Sequence, residues 1–391
     1  MSGPDTWSFF NPVALRFGAE CWRGAGRDVA EKKLLLLTSA GLVRRGTAAR
    51  VRAGWGGAAE IVVCDRVTPN PEITALESLA RDLRPAGFDR VIALGGGSVV
   101  DSAKVLAVLL ADHAADLGKI LRDGAPVPAG AALPVDAVPT IAGTGSEVTP
   151  FATVWDTGTR KKHSLSSPRV FPRVAYLDPE LTAGVPPDLA VATGLDALSQ
   201  ALESIWNVWA NPITLDLATR GVRLALAALP TLVASQRPDA ASRGELLFAS
   251  LLAGLAISHT RTALGHSISY PLTAHYGLPH GLACGFTLPA VLDFNAAADD
   301  GRIARAAVAV GCGSIAGLRR SLVAVLHAVG TDDLLRRHGI DGEKLTRLVP
   351  EMIYPGRADN NLRPATPDDV RAIMQATGDY LPACQTLVSH G

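Results

Sequence analysis

The sequence predicts two domains: an α/β domain with a mostly parallel sheet over residues 1–184, and an all-α domain over residues 185–391. Short apolar strands alternate with helical stretches in the first half, which is the pattern of parallel sheets with helical crossovers. From Pro186 onward, helical spacing and alanine dominate and strand signals nearly vanish. A chain of 391 residues also exceeds the usual size of one hydrophobic core.

The elements of the α/β domain follow from local patterns, apolar runs for strands and 3.6-residue spacing for helices. Strands are expected at 32–38, 60–65 and 89–97, and helices at 40–51, at 73–83 and from about Val99 onward. A turn is expected at Pro69-Asn70-Pro71. Open sheets of this kind bind ligands beyond the carboxyl ends of their strands.

The second half is predicted to consist of helices, with the domain boundary near the VPPD segment at 185–188. The helical pattern covers residues 190–209, 212–234, 243–258, 302–329 and, with weaker periodicity, 332–355. No internal repeat and no low-complexity tract interrupts this pattern.

Composition argues against several classes of protein. The hydrophobic fraction of 48% with 19% charged residues is typical of a packed globular chain. Lys+Arg and Asp+Glu both total 37, so the net charge of zero gives no support for nucleic-acid binding. No stretch is expected to supply the roughly 20 apolar residues of a membrane span, and no secretory signal is visible. The five scattered cysteines fit reduced thiols in a cytoplasmic protein better than a disulfide framework or a cysteine-ligated zinc site.

Glycines follow the third predicted strand. Gly95, Gly96 and Gly97 precede Ser98 and a predicted helix. Glycines let the backbone approach a pyrophosphate, and a helix N-terminus supplies N–H donors for it. The candidate cofactor-binding residues here are Gly95, Gly96, Gly97, Ser98 and Asp101. Ser98 and Asp101 also have the spacing of a capping box, so an ordinary helix cap is the alternative.

A second loop of small residues strengthens the interpretation as a dinucleotide site. It spans residues 139–147, follows an apolar stretch and carries the hydroxyl groups of Thr140, Thr144 and Ser146. These hydroxyls suit phosphate or amide contacts, although a plain turn is the alternative. Two such loops in one α/β domain favour a Rossmann-like dinucleotide-binding domain.

A candidate metal site lies in the helical half. Asp196 and Gln200 are four residues apart in a predicted helix, so their side chains share one face. His266 and His280 follow later in the chain. A carboxylate with two imidazoles suits a divalent zinc or iron ion with a position left open for substrate. An isolated histidine is more often an ordinary, partly buried side chain.

These segments together resemble the iron-containing (group III) alcohol dehydrogenase family, which has the dehydroquinate synthase-like fold. The resemblance implies a metal-dependent, nicotinamide-linked oxidoreductase of alcohols and aldehydes. A C-terminal segment with Asn360, Asn361 and Arg363 also resembles the family. The matching segments occur in family order over nearly the whole chain: GGGSVVDSAK (95–104), PTIAGTGSEVTP (139–150), Asp178-Pro179, GLDALSQALES (194–204) and GHSISYPLTAHYGLPHG (265–281).

The resemblance implies that Asp196, His266 and His280 are metal ligands. The family's fourth ligand is usually a histidine, and this chain has Gln200 in its place, whose neutral carbonyl oxygen binds Fe²⁺ or Zn²⁺ less well. We expect a retained divalent metal, Fe²⁺ or Zn²⁺. The alternative is a metal-free site, as in the maleylacetate reductases that share the fold. Tyr270 stands where many members have a further histidine; a phenol can relay a proton but cannot act as an imidazole base.

NADPH is expected in preference to NADH. Family members that prefer NAD often carry an aspartate directly after the threonine that ends the first strand. Here Thr38 is followed by Ser39, so no carboxylate repels a 2′-phosphate. Arg44 and Arg45 could help bind that phosphate, with a solvated helix face as the alternative.

The expected substrate is a small anionic aldehyde. Arg261 lies five residues before His266 and has Thr260 and Thr262 as neighbours. A guanidinium with two hydroxyls suits a phosphonate, phosphate or carboxylate, although an exposed arginine is the alternative. Together with HSISYPLT, this segment resembles the branch of the family that reduces phosphonoacetaldehyde to 2-hydroxyethylphosphonate.

The proton donor stays open between Tyr270, His259 and a water molecule. Residues 161–163, Lys-Lys-His, could add positive potential or form a solvated turn. A homodimer is expected. Three functional alternatives remain: a general short-chain alcohol dehydrogenase, a metal-free maleylacetate-type reductase and a non-catalytic nucleotide-binding protein.

Overall fold

The computed structural model describes residues 6–27, 30, 32–57, 60–128, 130, 132–159, 161–234 and 239–385. The chain forms two compact units. The α/β unit comprises Asn11–Ile141 and Gly145–Gly184. The helical unit comprises the chain from Val185 onward, Ala142–Thr144 and the N-terminal segment that ends at Phe10.

A six-stranded sheet forms the centre of the α/β unit. The strands of the unit are β1 Ala14–Phe17, β2 Lys33–Leu37, β3 Glu60–Cys64, β4 Arg90–Gly95, β5 Val135–Pro139, β6 Phe151–Asp156, β7 Lys161–Ser166 and β8 Val174–Leu177, of which β6 and β7 form a separate two-stranded sheet. The sheet has the order β1-β8-β5-β4-β2-β3, and each neighbouring pair is parallel. The predicted parallel α/β fold is therefore confirmed.

The central strands are buried on both faces, which explains their continuous apolar runs. Leu35 and Leu37 on β2 pack into one hydrophobic cluster, while Leu34 and Leu36 pack into another on the opposite face. Successive side chains of a strand point to opposite faces, so a run of leucines fills both clusters.

The antiparallel hairpin of β6 and β7 was not predicted. Residues 161–163, considered above as a solvated turn, instead pair with Val154–Asp156 in this hairpin. The side chains of β6 alternate between half-buried and buried, which is the period of a strand and not of a turn.

Helices flank the sheet as α1 Ala40–Arg44, α2 Thr47–Trp55, α3 Ile73–Leu83, α4 Gly97–Ala111 and α5 Leu117–Arg122. The prediction of one helix over 40–51 is wrong. Gly46 has φ +74°, a left-handed conformation that ends α1 and begins α2.

The helical unit contains α6 Pro187–Ile205, α7 Pro212–Ala234, α8 Ala240–Thr260, α9 Leu264–Tyr276, α10 His280–Gly285, α11 Leu288–Ala296, α12 Arg302–Ala309, α13 Ile315–Ala328, α14 Thr331–Arg337, α15 Gly342–Arg347 and α16 Pro367–Thr377. The predicted helix over 302–329 is two helices, separated where Gly311 and Gly313 have φ +90° and +71°. The span 332–355 likewise contains α14 and α15, not one helix. No strand follows β8 in the residues that the structure describes.

Two helices of the core are long and apolar enough to cross a membrane. They are α7, with 23 residues, and α8, with 21 residues. The expectation that no stretch reaches this length and composition is therefore wrong. Both helices pack against each other and against α6. Since a core helix passes the same test, length and composition alone do not assign a membrane span.

A buried ion pair links the two central strands whose ends carry the glycine and hydroxyl loops. Arg90 Nη1 on β4 lies 2.8 Å from Asp136 Oδ2 on β5, and the side chains are 3% and 0% exposed. Arg173 Nε contacts the other oxygen of Asp136 at 3.3 Å. Removing one member of such a pair leaves an uncompensated buried charge.

Asp136→Asn is expected to lower the free energy of unfolding by about 3–5 kcal/mol, because it removes the buried carboxylate charge that pairs with Arg90 and contacts Arg173. Asp82→Asn is the control, since it removes the partner of Arg66 in an exposed pair and should cost at most about 1 kcal/mol. Urea denaturation of both variants checks this expectation. Equal losses in the two variants would contradict it.

Candidate metal centre and nucleotide loops

Four side chains of the helical unit converge in one cluster. Asp196 on α6, His266 on α9, and His280 and Cys284 on α10 offer ligand atoms that all lie within 4.8 Å of one another. The structure thus brings together three residues that were predicted as ligands and adds Cys284.

Glycine at position 281 allows α10 to approach α6 this closely. A Cβ on Gly281 would lie 1.8 Å from the carbonyl oxygen of Ala192 and 2.8 Å from Cβ of Asp196. A larger residue would therefore push α10, and His280 with it, away from Asp196.

Glu203 orients the imidazole of His266. The Nδ1 of His266 lies 2.7 Å from Glu203 Oε2, and Nε2 lies 3.3 Å from Asp196 Oδ1. Glu203 also accepts the backbone N–H groups of Ala263 at 2.8 Å and His266 at 2.9 Å. A carboxylate that accepts Nδ1–H directs Nε2 towards a metal, as is common around metal-bound histidines. Sequence reasoning missed Glu203, although it lies on the same helix as Asp196, seven residues later.

The protonation of His266 reflects these neighbours. Burial opposes a charged imidazole, but Cys284, Glu203 and the hydrogen bond with Asp196 outweigh it and raise the pKa of His266 well above its usual value. The cluster therefore attracts positive charge, which is what a cation site requires.

Cys284 was not expected in the metal site. It is fully buried, and its Sγ lies 3.8 Å from each ring nitrogen of His280. Burial raises the pKa of this thiol above its usual value, and the neighbouring His266 offsets only part of that increase. The signal in the sequence is the spacing, because residues 280 and 284 are one helical turn apart.

The donor set fits a divalent cation. Gln200 is 4% exposed, and its Nε2 donates to the carbonyl oxygen of Thr144 at 3.4 Å. Its buried Oε1 has no hydrogen-bond partner in the described part of the chain. An unsatisfied buried oxygen costs about 1–3 kcal/mol, which coordination to a cation would offset. One carboxylate, two imidazoles and this oxygen are suitable ligands for zinc or iron.

In the α/β unit, the loop after β4 has an open helix N-terminus. Gly96 is the N-cap of α4 and no side chain caps the helix. The capping-box alternative for Ser98 and Asp101 is therefore wrong. Backbone N–H groups at the start of this 15-residue helix are suitable donors for a phosphate.

The glycines of this loop are also required for packing. A Cβ on Gly95 would lie 2.5 Å from Cγ2 of Val99, and a Cβ on Gly96 would lie 2.7 Å from Cδ1 of Ile141. The N–H of Thr140 donates to the carbonyl oxygen of Gly95 at 3.0 Å. This bond ties the two predicted loops together at the carboxyl ends of β4 and β5.

Two of the residues predicted to contact the cofactor form hydrogen bonds within the protein. Asp101 accepts hydrogen bonds from Ser146 Oγ at 2.6 Å and from the N–H of Thr153 at 3.0 Å. Lys104, which sequence reasoning did not single out, donates to Ser146 Oγ at 2.9 Å. Burial raises the pKa of Asp101 and lowers the pKa of Lys104 to about 8. Asp101 and Ser146 therefore stabilise the loop from within.

The other residues predicted to bind the cofactor lie in different parts of the structure. Ser98 Oγ accepts the N–H of Asn70 at 3.3 Å. Thr144 belongs to the helical unit. Ser39 is the N-cap of α1, and Arg44 and Arg45 are exposed.

Arg261 has an unusual backbone conformation at the end of α8. Its φ of +61° with ψ of −176° is a region that residues other than glycine rarely adopt, at a cost of about 1–3 kcal/mol. Thr260 Oγ1 and Asn207 Nδ2 hold the Arg261 carbonyl oxygen at 3.0 and 3.4 Å. Partial burial lowers the pKa of Arg261, and the positive charge of Arg357 lowers it further.

Arg357 is a functional candidate that sequence reasoning missed. Its Nε donates to Tyr270 Oη at 3.0 Å, and the Tyr270 ring stacks on His280 with centroids 6.2 Å apart. Asn360 Nδ2 donates to the carbonyl oxygen of Thr262 at 2.9 Å. The Asn360 contact holds the turn at residues 357–360 beside Thr262, and the Tyr270 contact connects Arg357 to the metal cluster.

The predicted roles of Thr260 and His259 need correction. Thr260 is fully buried, and its hydroxyl contacts Ser204 Oγ at 3.0 Å as well as backbone carbonyls. His259 stacks on Phe9 at 4.1 Å, and its Nε2 accepts the N–H of Phe10 at 2.9 Å. Its Nδ1 lies 2.9 Å from Ser258 Oγ. Because these groups already have partners in the protein, neither suits the predicted contact with substrate.

Comparison with known proteins establishes the family. Residues 12–179 match iron-containing alcohol dehydrogenase, and residues 190–378 match the C-terminal domain of the Fe-containing alcohol dehydrogenase family. The chain belongs to the iron-containing alcohol dehydrogenase family, as the sequence motifs predicted.

Individual relatives are aldehyde reductases and alcohol dehydrogenases. The chain is 44% identical to phosphonoacetaldehyde reductase of Streptomyces viridochromogenes, over 62% of this chain and 61% of that relative. It is 31% identical to lactaldehyde reductase of Escherichia coli, over 87% and 90% of the two chains. The crystal structure of sulfoacetaldehyde reductase from Bifidobacterium kashiwanohense in complex with NAD⁺ is 30% identical, with a TM-score of 0.87 and coverage of 97% and 99%.

These relatives define an oxidoreductase family, and the predicted enzyme class is confirmed at that level. Family membership and the side-chain cluster support binding of a metal and of a nicotinamide cofactor. The match to phosphonoacetaldehyde reductase spans less than two thirds of that relative.

Glu203→Gln is expected to weaken metal binding about 10- to 100-fold, because an amide no longer holds the imidazole of His266 as firmly. Glu245→Gln, on the exposed side of α8, is the control and should bind metal like the unaltered protein. Metal titration followed by elemental analysis measures both affinities. Unchanged affinity in Glu203→Gln would refute the orienting role.

Proposed function

We propose that this protein reduces a small aldehyde bearing a tetrahedral anion, foremost phosphonoacetaldehyde, to its primary alcohol, 2-hydroxyethylphosphonate. The observation that carries the proposal is that Arg357 donates to Tyr270, whose ring stacks on His280, while the positive charge of Arg357 also acts on Arg261. Neither guanidinium forms an ion pair with a carboxylate among the described residues. Two such groups are suited to a doubly charged phosphonate.

The backbone of Arg261 supports a role in binding. A strained non-glycine residue persists only where the surrounding structure holds it, and such residues cluster at functional sites. Here hydrogen bonds from Thr260 and Asn207 to the Arg261 carbonyl oxygen hold the conformation. Two positive charges kept close together repel each other, and an anionic ligand between them would relieve that repulsion.

The metal site would be formed by Asp196, His266 and His280, with Gln200 as a further candidate. A divalent metal supplies Lewis-acid polarisation of the aldehyde carbonyl when bound, and the nicotinamide cofactor supplies the hydride. Glu203 holds His266 so that Nε2 faces the cluster. The orphaned Oε1 of Gln200 supports a metal-containing site over the metal-free alternative of the maleylacetate reductases.

Tyr270 is the proposed proton donor to the product oxygen. A guanidinium can only donate, so Tyr270 Oη is the acceptor in its bond with Arg357, and that bond does not use the phenol proton. The ring lies against His280, next to the metal cluster. Arg357 thereby has two proposed roles, binding the anion and positioning the phenol.

NADPH is the proposed cofactor, on the grounds that Ser39 provides no carboxylate against a 2′-phosphate. Arg44 and Arg45 are exposed and form no ion pair with any residue the structure describes, so they are suitable partners for that phosphate. We also propose a cytoplasmic homodimer; all five cysteines are free thiols, as a reducing compartment would require.

Sulfoacetaldehyde is the second candidate substrate. The similarity to a sulfoacetaldehyde reductase over 97% of this chain favours it. Sulfonate is also tetrahedral but carries one negative charge where phosphonate carries up to two. Two arginines therefore favour phosphonate over sulfonate, and both over an uncharged aldehyde.

Arg261→Ala is expected to lower kcat/KM for phosphonoacetaldehyde by about 100-fold, because a charge-assisted contact of about 2–3 kcal/mol is lost. The same variant should change kcat/KM for butyraldehyde by less than about 3-fold, since that substrate offers no anion. Rates of NADPH and NADH oxidation with phosphonoacetaldehyde, sulfoacetaldehyde and butyraldehyde measure the effect.

Arg223→Ala, at an exposed position of α7, is the matched control and should leave all rates unchanged. Equal losses of kcat/KM for anionic and uncharged aldehydes in Arg261→Ala would contradict the proposed substrate class. They would favour a general short-chain alcohol dehydrogenase instead.

A further inference from the structure

We propose that Cys284 is a fourth protein ligand of the metal, so that its thiolate takes the place of the imidazole that family members carry at the position of Gln200. This inference rests on the proposed metal site. It concerns which atoms form the site, and does not depend on the substrate.

The distances in the cluster match those of atoms that share one ion. Ligand atoms on a tetrahedral ion, with bonds of about 2.0–2.3 Å, lie about 3.3–3.8 Å apart. Cys284 Sγ lies 3.8 Å from the ring nitrogens of His280, and His266 Nε2 lies 3.3 Å from Asp196 Oδ1. All four ligand groups fall within 4.8 Å of one another.

The local structure places the sulfur on the cluster side of α10. His280 begins α10, and Cys284 follows four residues later, so the two side chains lie on one face of the helix. Gly281 and Gly285 let this helix pack closely on α6, since a Cβ at either position would lie within 2.8 Å of α6 atoms. Ser269 Oγ lies 3.4 Å from His280 Nδ1, which leaves Nε2 as the ligand nitrogen of His280.

The chemistry of the donors favours sulfur over the amide. A thiolate binds Zn²⁺ and Fe²⁺ strongly, whereas a neutral amide oxygen binds them weakly. On coordination the sulfur–metal bond forms and the S–H proton leaves to solvent, with no change of oxidation state. Two anionic ligands, Asp196 and Cys284, then neutralise the two charges of the cation inside a buried cluster.

Substitution of a thiolate for an imidazole has a consequence for metal choice. Soft sulfur shifts the preference of the site from iron towards zinc. We therefore expect the protein to retain Zn²⁺ in preference to Fe²⁺ when both are supplied. Gln200 is left as a weak additional donor.

Cobalt substitution tests this assignment without relying on activity. The full-length protein is stripped of metal and loaded with Co²⁺, and its near-ultraviolet absorption is recorded. A thiolate ligand produces an intense sulfur-to-cobalt charge-transfer band, which nitrogen and oxygen ligands do not. We expect this band in the unaltered protein and in Gln200→Ala, and its loss in Cys284→Ser.

Cys21→Ser, which changes a half-buried thiol in the α/β unit, is the control and should keep the band. Cys284→Ser should also weaken zinc binding about 10-fold or more. Cys284→Ala and circular dichroism show whether the loss follows from removal of the sulfur or from misfolding. Cys284 is the cysteine that lies in the cluster among the described residues, so the presence or absence of the band in the unaltered protein supports or overturns the assignment even if both variants fail to fold.

Bound cobalt without the charge-transfer band would overturn the role of Cys284 and leave the proposed metal site intact. Persistence of the band in a folded Cys284→Ser variant would also overturn it. A protein that binds no Co²⁺ at all would overturn both this inference and the metal site on which it rests.

Discussion

The close approach of α10 to α6 is the constraint on which the site depends. It brings His280 and Cys284, from one short helix, against Asp196 on a long helix that starts almost a hundred residues earlier. Gly281 makes this possible, because any Cβ there would overlap the backbone of α6. Glu203 then fixes the remaining imidazole, that of His266, from within the same helix. A cluster of this kind, buried and rich in negative charge, is stable only with protons or a cation to neutralise it.

The helical unit concentrates positive charge as well as candidate metal ligands. Arg261 is held in a strained conformation, Arg357 donates to Tyr270, and the positive charge of Arg357 acts on Arg261. Neither guanidinium has a carboxylate partner among the described residues. Both features are understandable if an anion binds there, and the aromatic ring of Tyr270 links that anion site to His280.

Sequence patterns predicted most of the fold. The helices α3 and α7 have uninterrupted periodicity, and their predicted first and last residues agree with the structure. The patterns failed where glycines end helices in left-handed conformations, as at Gly46 and Gly311, because periodicity continues across such breaks. The clustering of Asp196, His266 and His280 could be predicted from family motifs. The contacts of Arg357 could not, since its partner Tyr270 is distant in the chain. Cys284 could have been noticed from its spacing of one helical turn after His280. Nothing in the sequence indicated that His259 contacts the N-terminal segment at Phe10.

The most direct test of the account is the position of the metal. Crystals of zinc-loaded protein, measured at the zinc absorption edge, would give an anomalous difference map. We predict one strong peak about 2.0–2.2 Å from ligand atoms of Asp196, His266 and His280. A protein that reduces aldehydes while the map shows zinc elsewhere, or no zinc at all, would contradict it.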